Sequence, residues 1–403
     1  MMKPLEGLKV IELATFIAGP TCARTFADWG ADVVKVENPK GDPMRGAGSN
    51  TKMPVLPEEN PGFDLCNIGK KSLVLNLRTG SGMDVLNKML SASDVFITNN
   101  RTQALEKMGL SYEQIKQKHP HIIFAQVLGY GEKGPLRDKP GFDFTAYYAK
   151  GGLTGTLYEK GTSPLNPVPG FGDNQVAMYL AGGILAALHK RNKTGIGDKV
   201  TVSLYHAAIF ALNNAITASQ YGFSYPVTRT EVVSPFLNTY RTRDDRWLQI
   251  AAPEYDRLFP VIMQAIGRED LIGNEQYCKL KNLAQYNTEV VKIIEDKIAE
   301  RDADEWVEIF DNFDVPCEKA SRWDEIISDR QAWENEYLHE INYATGNVRT
   351  LVDLPVKLDS LGKANHKRGP LIGENSIEIL KSFGYLMEEI DQLLAEKVVL
   401  QGK

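Results

Sequence analysis

The chain has 403 residues, of which 43% are hydrophobic and 24% are charged, a composition typical of a globular protein with two or three domains. A formal net charge of −6 gives no bulk attraction to nucleic acid or to an anionic membrane, so an anionic ligand must be bound by local basic residues. The sequence contains neither a signal-peptide core nor about 18 consecutive apolar residues, which predicts a cytoplasmic protein without a membrane span.

The first half of the chain alternates predicted strands with predicted helices. Strands are predicted at residues 8–14, 32–37, 72–77, 94–98, 122–128 and 199–203. Helices are predicted at residues 20–29, 83–90 and 112–117, directly after Asp173, and from residue 204 to about 219. Because strands that alternate with helices pair in parallel, this order predicts an α/β fold with a doubly wound sheet.

The pattern changes after Tyr221. Residues 222–246 are polar and are predicted to form a loop, followed by a strand at 247–252 and helices at 255–266, 289–299 and 304–311. We interpret this region as a smaller second domain. A helix near residue 324, a hairpin around Gly346 and helices at 376–383 and 388–394 complete the prediction.

A glycine-rich segment places Asp173 directly before a long apolar helix. Gly170 and Gly172 have no Cβ, so a ligand or another segment of backbone can approach closely. Aspartate is a favoured N-cap and the helix N-terminus stabilises its charge, so the sequence predicts Asp173 as the cap. An ionised carboxylate in this position can also act as a nucleophile, although most aspartates before helices are only caps.

The sequence lacks the patterns of several common sites. The turn at residues 15–20 has Gly19 as its only glycine, whereas a dinucleotide-binding turn needs closely spaced glycines. No GxSxG or P-loop motif occurs, and His189 and His206 fall on predicted helices, so we interpret them as surface or interface residues. The four cysteines are scattered, without a histidine at metal-binding spacing, so we predict reduced thiols and no metal site.

Basic residues cluster near three predicted strand ends. An open α/β sheet binds its ligand beyond the carboxyl ends of its strands, so such clusters can converge on an anionic ligand, unless they are only solvated surface charges. The clusters are Lys40 with Arg45, then Lys70, Lys71 and Arg78, then Arg101 with Lys107. We expect Lys40, Arg45 and Arg101 to converge.

Sequence runs in a characteristic order resemble the family III CoA-transferases. The runs are residues 4–13, Ala-Gly-Pro at 18–20, 26–37, Gly-Asp-Pro-Met-Arg at 41–45, 71–77, 104–109, 129–135, 194–200 and 369–375, with Asp173 before its helix. The resemblance covers essentially the whole chain. Residues 128–174, with the segments 141–146 and 151–161, are most similar to the members that act on (R)-2-hydroxy acids such as phenyllactate and 2-hydroxyisocaproate.

This resemblance implies a Rossmann-like large domain with a parallel sheet at residues 1–222, a smaller α+β domain at 223–325, and a C-terminal return to the large domain at 326–403. It implies ring-shaped protomers that interlock in a homodimer. It also implies Asp173 as the catalytic residue, Glu132 as a glutamate that hydrogen-bonds near it, and a CoA thioester as substrate with no permanently bound cofactor. The implied CoA contacts are Ala18, Leu75, Asn76, Arg78, Asn99, Arg101, Lys107, Met108 and Tyr130.

The implied reaction is transfer of CoA from an acyl-CoA, a 2-enoyl-CoA, to an (R)-2-hydroxy acid through mixed anhydride and aspartyl-CoA thioester intermediates. Such an enzyme would act before a 2-hydroxyacyl-CoA dehydratase in amino-acid fermentation. We expect main-chain N–H groups of residues 170–174 to stabilise the oxyanions. Two departures from formyl-CoA transferase predict a more apolar pocket: Ile17 replaces a glutamine, and residues 224–247 lack a glycine-rich loop.

Other functions remain open at this point. A transferase of the same family for a carnitine-type or bile-acid-type acid fits the same motifs. A related acyl-CoA racemase would need a histidine near residues 129–132, and none lies between His121 and His189. A dinucleotide-dependent oxidoreductase and a non-catalytic CoA-binding protein are disfavoured by the missing glycines and by the intact Asp173 motif, respectively.

Overall fold

The computed structural model describes residues 2–362 and 366–402. The chain forms two compact units: residues 1–154, 166–216 and 330–403 form the first, and residues 155–165 and 217–329 form the second. The first unit is therefore assembled from three separate stretches of sequence. The domain boundaries predicted after residues 222 and 325 stay a prediction.

The strands are numbered in chain order over the described residues. They are β1 (Lys9–Leu13), β2 (Asp32–Glu37), β3 (Lys71–Leu75), β4 (Val95–Thr98), β5 (Ile123–Leu128), β6 (Lys199–Ser203), β7 (Leu237–Arg241), β8 (Trp247–Ala251), β9 (Cys317–Lys319), β10 (Leu338–Asn342), β11 (Val348–Val352) and β12 (Val399–Leu400).

The helices of the first unit are α1 (Ala18–Asp28), α2 (Met44–Ala47), α3 (Pro61–Asn67), α4 (Gly80–Ser91), α5 (Thr102–Met108), α6 (Tyr112–Lys118), α7 (Phe171–Thr194), α8 (Leu204–Ala211), α14 (Arg330–Glu334), α15 (Ser376–Ser382) and α16 (Met387–Ala395), and α9 (Asn213–Ser219) extends into the second. The second unit contains α10 (Tyr255–Ala265), α11 (Asn287–Ile298), α12 (Ala303–Asn312) and α13 (Trp323–Ile326). A turn of π-helix covers Asp143–Ala149. Within the described residues, no helix is both long and apolar enough to cross a membrane.

The first unit is built on one sheet with the strand order β12-β3-β2-β1-β4-β5-β6. The six strands β1 to β6 all run parallel to one another in this sheet. The short β12 runs antiparallel to β3 at one edge. The predicted α/β fold with a largely parallel sheet is confirmed. The strand order reverses direction at β1, and in such sheets ligands bind outside the carboxyl ends of the strands at this reversal.

Apolar residues cover both faces of this sheet because successive side chains of a strand point to opposite faces. Val10 of β1 packs in the core layer with α1 and α7, whereas the next residue, Ile11, packs in the opposite layer with α4, α15 and α16. The sheet is thus covered by helices on both sides, as parallel sheets require.

The long helix α7 positions its first turn at the carboxyl edge of the sheet. Val176, Leu180, Ile184 and Leu188 recur at intervals of four residues and bury one stripe of the helix in the core. At the other end, Arg191 pairs with Asp94, directly before β4, across 3.0 Å. Because that ion pair fixes the helix C-terminus at the amino edge, the N-terminus must lie at the opposite edge.

A buried ionic network lies beneath the first βα turn. The carboxylate of Glu12, which is fully buried, is 2.7 Å from Lys35 Nζ and 2.6 Å from Lys70 Nζ. Lys35 also pairs with Asp42 at 2.8 Å. The two lysines donate hydrogen bonds to main-chain carbonyls at both ends of the turn, those of Ala14 and Pro20. The network therefore fixes the backbone between β1 and α1.

The second unit contains an antiparallel sheet, β7-β8-β9, packed with helices around its own core. The prediction that residues 222–246 form only a loop is wrong for Leu237–Arg241, which pair with Trp247–Ala251 as β7. Only Asn238 and Tyr240 of this strand are buried, and its sequence is polar, so hydrophobic periodicity did not reveal it.

Candidate active site

Predicted contact residues follow the carboxyl ends of four parallel strands. Leu75, Asn76 and Arg78 are at the end of β3, Ala18 follows β1, Asn99 and Arg101 follow β4, and Tyr130 follows β5. The sheet places β3, β1, β4 and β5 with their carboxyl ends at one edge. The residues thus share one side of the sheet although they are far apart in sequence.

Side-chain hydrogen bonds fix the turn between β1 and α1 against the neighbouring loop. Asn99 Oδ1 accepts a hydrogen bond from Thr15 N at 3.0 Å, and its Nδ2 donates to Thr15 O at 2.6 Å. The next residue, Phe16, has a positive φ of 63° and donates its main-chain N–H to Asp42. This uncommon conformation is held by the buried network and leaves the phenyl ring 38% exposed.

Asp173 lies in the first turn of α7, but it is not the N-cap as predicted. The helix begins at Phe171 and its N-cap is Gly170, whose φ of 84° is accessible to glycine without strain. Gly170 also lies close to the adjacent turn, because a Cβ there would be 3.3 Å from Ile17 Cδ1. Asp173 therefore lies two residues inside the helix and beside the turn at residues 15–20.

The capping group is instead Asp143, which the sequence analysis did not identify. Its Oδ1 accepts a hydrogen bond from Gly172 N at 3.0 Å, while its Oδ2 is buried without a hydrogen-bond partner among the described residues. Gly172 is required here because a Cβ would lie 2.5 Å from Asp143 Oδ1. The only sequence signal was the resemblance of residues 141–146 to the family, which gave Asp143 no role.

Asp143 and Asp173 form a pair of acidic groups at the helix N-terminus. Burial, together with the charge of Asp143, raises the pKa of Asp173 to about 7. Burial also raises the pKa of Asp143, although main-chain N–H groups of residues 170–173 oppose this effect. A carboxylate with a raised pKa is more basic and more nucleophilic once ionised, and such groups concentrate at functional sites.

Aromatic side chains surround this helix N-terminus. Phe142, next to Asp143, is 56% exposed and packs edge-on against Phe16 with ring centroids 5.9 Å apart. Phe171, next in sequence to Gly172, packs against Tyr147 and Tyr148. These rings lie on residues adjacent in sequence to Asp143 and Gly172, whereas the more apolar pocket predicted from Ile17 stays a prediction.

The predicted CoA contacts differ in what they can offer a ligand. Arg78, Arg101 and Lys107 are exposed, so their charges are accessible. Leu75 and Ala18 are buried and can contribute only main-chain groups. Asn76, Asn99, Met108 and Tyr130 are half-buried. Arg101 also donates a hydrogen bond to the main-chain oxygen of Asp138 at 3.3 Å.

Glu132 has a different environment from that of Asp173. Its carboxylate pairs with Lys199 and accepts a hydrogen bond from Thr201 at 3.3 Å, on the edge strand β6. Lys199 begins β6 at the amino edge of the sheet, whereas Asp173 lies at the carboxyl edge. Among the described residues, no hydrogen bond or ion pair joins Glu132 to Asp173, so its catalytic role stays a prediction.

Two of the basic residues considered as ligand contacts have structural roles. Lys70 is buried in the network with Glu12. Arg45 makes a bidentate contact with Glu37, with Nη2–Oε1 at 2.6 Å and Nε–Oε2 at 2.8 Å, and its guanidinium stacks on Phe63. The expectation that Arg45 would join Lys40 and Arg101 at a ligand is therefore unsupported, because its donors are already used.

The predicted oxyanion donors are also partly engaged. Gly172 N donates to Asp143, and Asn174 N donates to Gly170 O inside the helix. An oxyanion would have to compete with these acceptors for the N–H groups of residues 170–174. The role of this segment in stabilising negative charge stays a prediction.

Replacement of Asp143 by asparagine is expected to move the acidic limb of the pH–rate profile to lower pH. If Asp173 is the nucleophile that the family resemblance implies, it must be ionised to attack, so the rate falls as the pH drops through its pKa of about 7. The amide oxygen can still accept from Gly172 N, whereas loss of the Asp143 charge lowers the pKa of Asp173. The profile of kcat/KM measures this shift. Asp84→Asn, on an exposed position of α4, is the control, and an unchanged limb in Asp143→Asn would contradict the coupling.

The fold and the site define an α/β protein with exposed basic residues at the carboxyl edge of its parallel sheet and a carboxylate in the first turn of a helix that begins at the same edge. The model of CoA-transferase family III matches residues 5–376, and the chain belongs to this family. It is 47% identical over 402 residues to cinnamoyl-CoA:phenyllactate CoA-transferase of Clostridium sporogenes, covering 99% of this chain and 98% of that protein. It is 44% identical to (R)-2-hydroxy-4-methylpentanoate CoA-transferase of Clostridioides difficile, with 98% and 99% covered.

Solved structures agree with this assignment. Rv3272 of Mycobacterium tuberculosis superimposes with a TM-score of 0.80 at 25% identity, covering 93% of this chain and 98% of that chain. A CAIB/BAIF family protein from Brucella suis gives a TM-score of 0.79 at 25% identity, with 95% and 100% covered. The chain is therefore a CoA-transferase, and the resemblance identified from its motifs is confirmed.

Proposed function

We propose that this enzyme transfers CoA from a 2-enoyl-CoA to an (R)-2-hydroxy acid with an apolar side chain. The observation that carries the proposal is the Asp143–Asp173 pair at the N-terminus of α7, surrounded by the aromatic rings of Phe16, Phe142 and Phe171. By their names, the relatives from Clostridium sporogenes and Clostridioides difficile act on phenyllactate and on (R)-2-hydroxy-4-methylpentanoate. These acids carry a phenyl and a branched alkyl group, respectively. An apolar pocket suits either side chain.

In the proposed reaction, Asp173 attacks the thioester carbonyl of the donor, and the CoA thiolate leaves to give a mixed anhydride. The thiolate attacks the aspartyl carbonyl, releasing the donor acid and leaving CoA bound to Asp173 as a thioester. The acceptor carboxylate attacks the aspartyl carbonyl of that thioester, which forms a second mixed anhydride and releases the CoA thiolate. The thiolate then attacks the acceptor acyl group, which forms the new acyl-CoA and regenerates Asp173. Every bond broken is replaced, so no metal or ATP enters the proposal.

CoA recognition is assigned to the exposed basic residues at the sheet edge. Arg101 immediately precedes α5, and Lys107 lies in its last turn, both after the carboxyl end of β4. Phosphates bind at this edge of open α/β sheets. Asp173, in contrast, is buried near the contact between Tyr147 and Phe171 at the start of α7 and has no basic partner among the described residues, so we place the nucleotide at β4 and the acyl group at α7.

Arg101→Ala is expected to raise KM for every acyl-CoA by a similar factor, roughly tenfold, because a charge-assisted contact to phosphate contributes about 1.5 kcal/mol or more. Uniform loss of binding leaves kcat unchanged. Steady-state kinetics with several acyl-CoA donors, at low and high salt, measure it, and Arg330→Ala on an 89% exposed arginine is the matched control. If the Arg101→Ala variant instead changed KM by different factors for different acyl chains and kept its affinity for free CoA, Arg101 would belong to the acid-binding site.

The assembly we propose is a homodimer of interlocked, ring-shaped protomers. Around Asp173, the apolar side chains of Phe142, Phe144 and Phe171 are each about half exposed in the single chain, and contiguous apolar surface of this kind is typical of sites that bind another molecule. Light scattering coupled to size-exclusion chromatography should give the mass of two 44.9-kDa chains. A monomer with full activity would contradict this assembly.

Location and pathway complete the proposal. The four cysteines are free thiols and three of them are buried, which suits the reducing cytoplasm. A 2-hydroxyacyl-CoA is the substrate needed by a 2-hydroxyacyl-CoA dehydratase, and the 2-enoyl-CoA that such a dehydratase forms is the donor for the next transfer. We therefore place the enzyme beside a dehydratase in amino-acid fermentation, with the enoyl acid as net product.

The test is a substrate panel. Phenyllactate, 2-hydroxyisocaproate, lactate and a bile acid are each assayed as acceptors with a matched acyl-CoA donor, and the acyl-CoA products are separated by chromatography. The proposal expects the highest kcat/KM with phenyllactate or 2-hydroxyisocaproate. A preference for lactate would exclude the apolar pocket, whereas a preference for the bile acid would move the enzyme to another branch of the family.

A further inference from the structure

Two histidines and an aspartate converge in the first unit, away from Asp173. His339 Nδ1 and His366 Nε2 each lie 2.9 Å from Asp353 Oδ1. His339 lies on β10, Asp353 directly follows β11, and His366 precedes α15. Asp353 is 14 positions after His339 and 13 positions before His366. Only cysteines with histidines at short metal-binding spacing were considered in the sequence analysis, so this cluster could not be revealed there.

The hydrogen bonding of this cluster is incomplete. His339 is only 10% exposed, yet neither of its ring nitrogens makes a hydrogen bond of acceptable geometry with the described residues. Nδ1 of this imidazole has a close contact with Asp353, but Nε2 has no hydrogen-bond partner among the described residues, and a desolvated polar nitrogen without compensation is costly. The ligand atoms of His339, Asp353 and His366 all lie within 4.8 Å of one another, so one bound atom could contact all three.

Two carboxylates and one guanidinium lie next to the imidazoles. His366 Nδ1, on the far side of its ring, is 4.0 Å from the carboxylate of Asp28. Arg24 lies 3.3 Å from Asp28 and 3.6 Å from Asp353. With neutral imidazoles, two carboxylates and one guanidinium give the cluster a net charge of −1. A carboxylate behind a ligating histidine is also the arrangement that orients imidazole toward a metal.

We propose that His339, Asp353 and His366 bind a divalent zinc ion. Imidazole nitrogen and carboxylate oxygen are ordinary zinc ligands, and three protein ligands leave a fourth position for water. That position has space, because a cleft of about 990 Å³ is lined by His339, Asp353 and His366. Zinc bonds of about 2.0–2.1 Å set tetrahedral ligand atoms about 3.3–3.4 Å apart, so the two nitrogens need to move a few tenths of an ångström from Asp353.

The ion would have a structural role. Asp353 and His339 belong to the β10–β11 hairpin, His366 belongs to the segment that leads to α15, and Arg24 and Asp28 lie on α1. One bound ion would therefore connect the hairpin and the C-terminal segment, next to α1. A ligand that binds the folded state raises its stability in proportion to the logarithm of ligand concentration over its dissociation constant.

The experiment measures zinc uptake by the intact protein. Protein stripped with a chelator is dialysed against buffered zinc chloride, and bound zinc is determined by elemental analysis. We expect one high-affinity zinc per chain in the wild type, and at least tenfold weaker binding in His339→Gln and in His366→Gln. His189→Gln, which removes an exposed histidine, is the matched control and should bind zinc as the wild type does.

Two further measurements separate binding from misfolding. Zinc should raise the unfolding midpoint of the wild type and of the control but not that of the two cluster variants, and far-UV circular dichroism of the variants should match the wild type without metal. Cobalt(II) should give the intense visible absorption of a four-coordinate site in the wild type only. Absence of stoichiometric zinc uptake, or uptake unchanged in both variants, would overturn the proposal.

Discussion

Asp173→Ala is expected to lower the transfer rate by roughly 10⁴-fold or more, because removal of a nucleophile leaves only binding and positioning to act. Folding should be unaffected. The Asp173 carboxylate makes no hydrogen bond with the part of the chain that the structure describes, and burial together with the charge of Asp143 opposes its ionised form. Since the folded-state pKa is above the unfolded value, this residue contributes stability at low pH that is lost as pH rises through about 7. The variant should therefore be at least as stable as the wild type above pH 7.

Two measurements check this result. The first is acyl-CoA exchange followed by chromatography. In the second, the enzyme is incubated with acyl-CoA and hydroxylamine, and peptide mass spectrometry should find a hydroxamate at Asp173, since an aspartyl thioester or anhydride reacts with amines and a resting carboxylate does not. Glu113→Gln, in the first turn of α6, is the control. Near-normal exchange by Asp173→Ala, or turnover without modification of Asp173, would refute the assignment.

The arrangement around Asp173 also explains why a histidine is not required there. The racemase alternative needed a histidine near residues 129–132, and that segment is Gly-Tyr-Gly-Glu. The residue before Asp143 is Phe142, an exposed ring packed on Phe16. A phenyl ring cannot exchange a proton with an α-carbon, whereas it can contact an apolar acyl chain. The neighbourhood of Asp173 thus supports transfer by a carboxylate and not proton abstraction by a base pair.

The sequence predicted the strands of the main sheet well because β1 to β5 are buried and rich in valine, isoleucine and leucine. It did not predict β12, two residues long, because its assignment depends on pairing with Val74 and Leu75 far away in the chain. For the same reason Asp143 was missed: its role as the cap of α7 depends on a contact with Gly172, 29 residues later. Local patterns cannot reveal a cap supplied by another segment.

Charge patterns were a weaker guide than apolar ones. Lys70 and Arg101 look alike in sequence, each near a predicted strand end, yet Lys70 is buried against Glu12 and Arg101 is exposed at the edge. Which lysine or arginine is available to a ligand depends on whether a carboxylate lies within reach in the folded chain. That information is tertiary, so the basic clusters could be located from sequence but not assigned.

Glu12→Gln is expected to destabilise the folded chain by roughly 3–5 kcal/mol, because removing one partner of a buried ion pair leaves an uncompensated charge. Glu12 pairs with both Lys35 and Lys70, and all three side chains are fully buried. Burial already lowers the pKa of Lys70 to about 8, and Glu12 is the main group that opposes this effect. In the variant the pKa of Lys70 falls further, so its ammonium is more easily lost on folding.

This coupling gives the variant a signature in its pH dependence. A lysine with a folded-state pKa below its unfolded value costs stability while it must be protonated, and the cost is relieved as pH rises from the folded toward the unfolded pKa. The gain in stability between pH 7 and 9 should therefore be larger in Glu12→Gln than in the wild type, as measured by urea unfolding. Glu6→Gln, at an exposed position, is the control and should change stability by less than about 0.5 kcal/mol. A destabilisation below about 1 kcal/mol, or one independent of pH, would show that Asp42 alone compensates the two lysines.

The same substitution should also affect substrate binding. Because Lys35 and Lys70 donate hydrogen bonds to the carbonyls of Ala14 and Pro20, a weakened network should loosen the turn beside Gly170 and raise KM for the acyl-CoA.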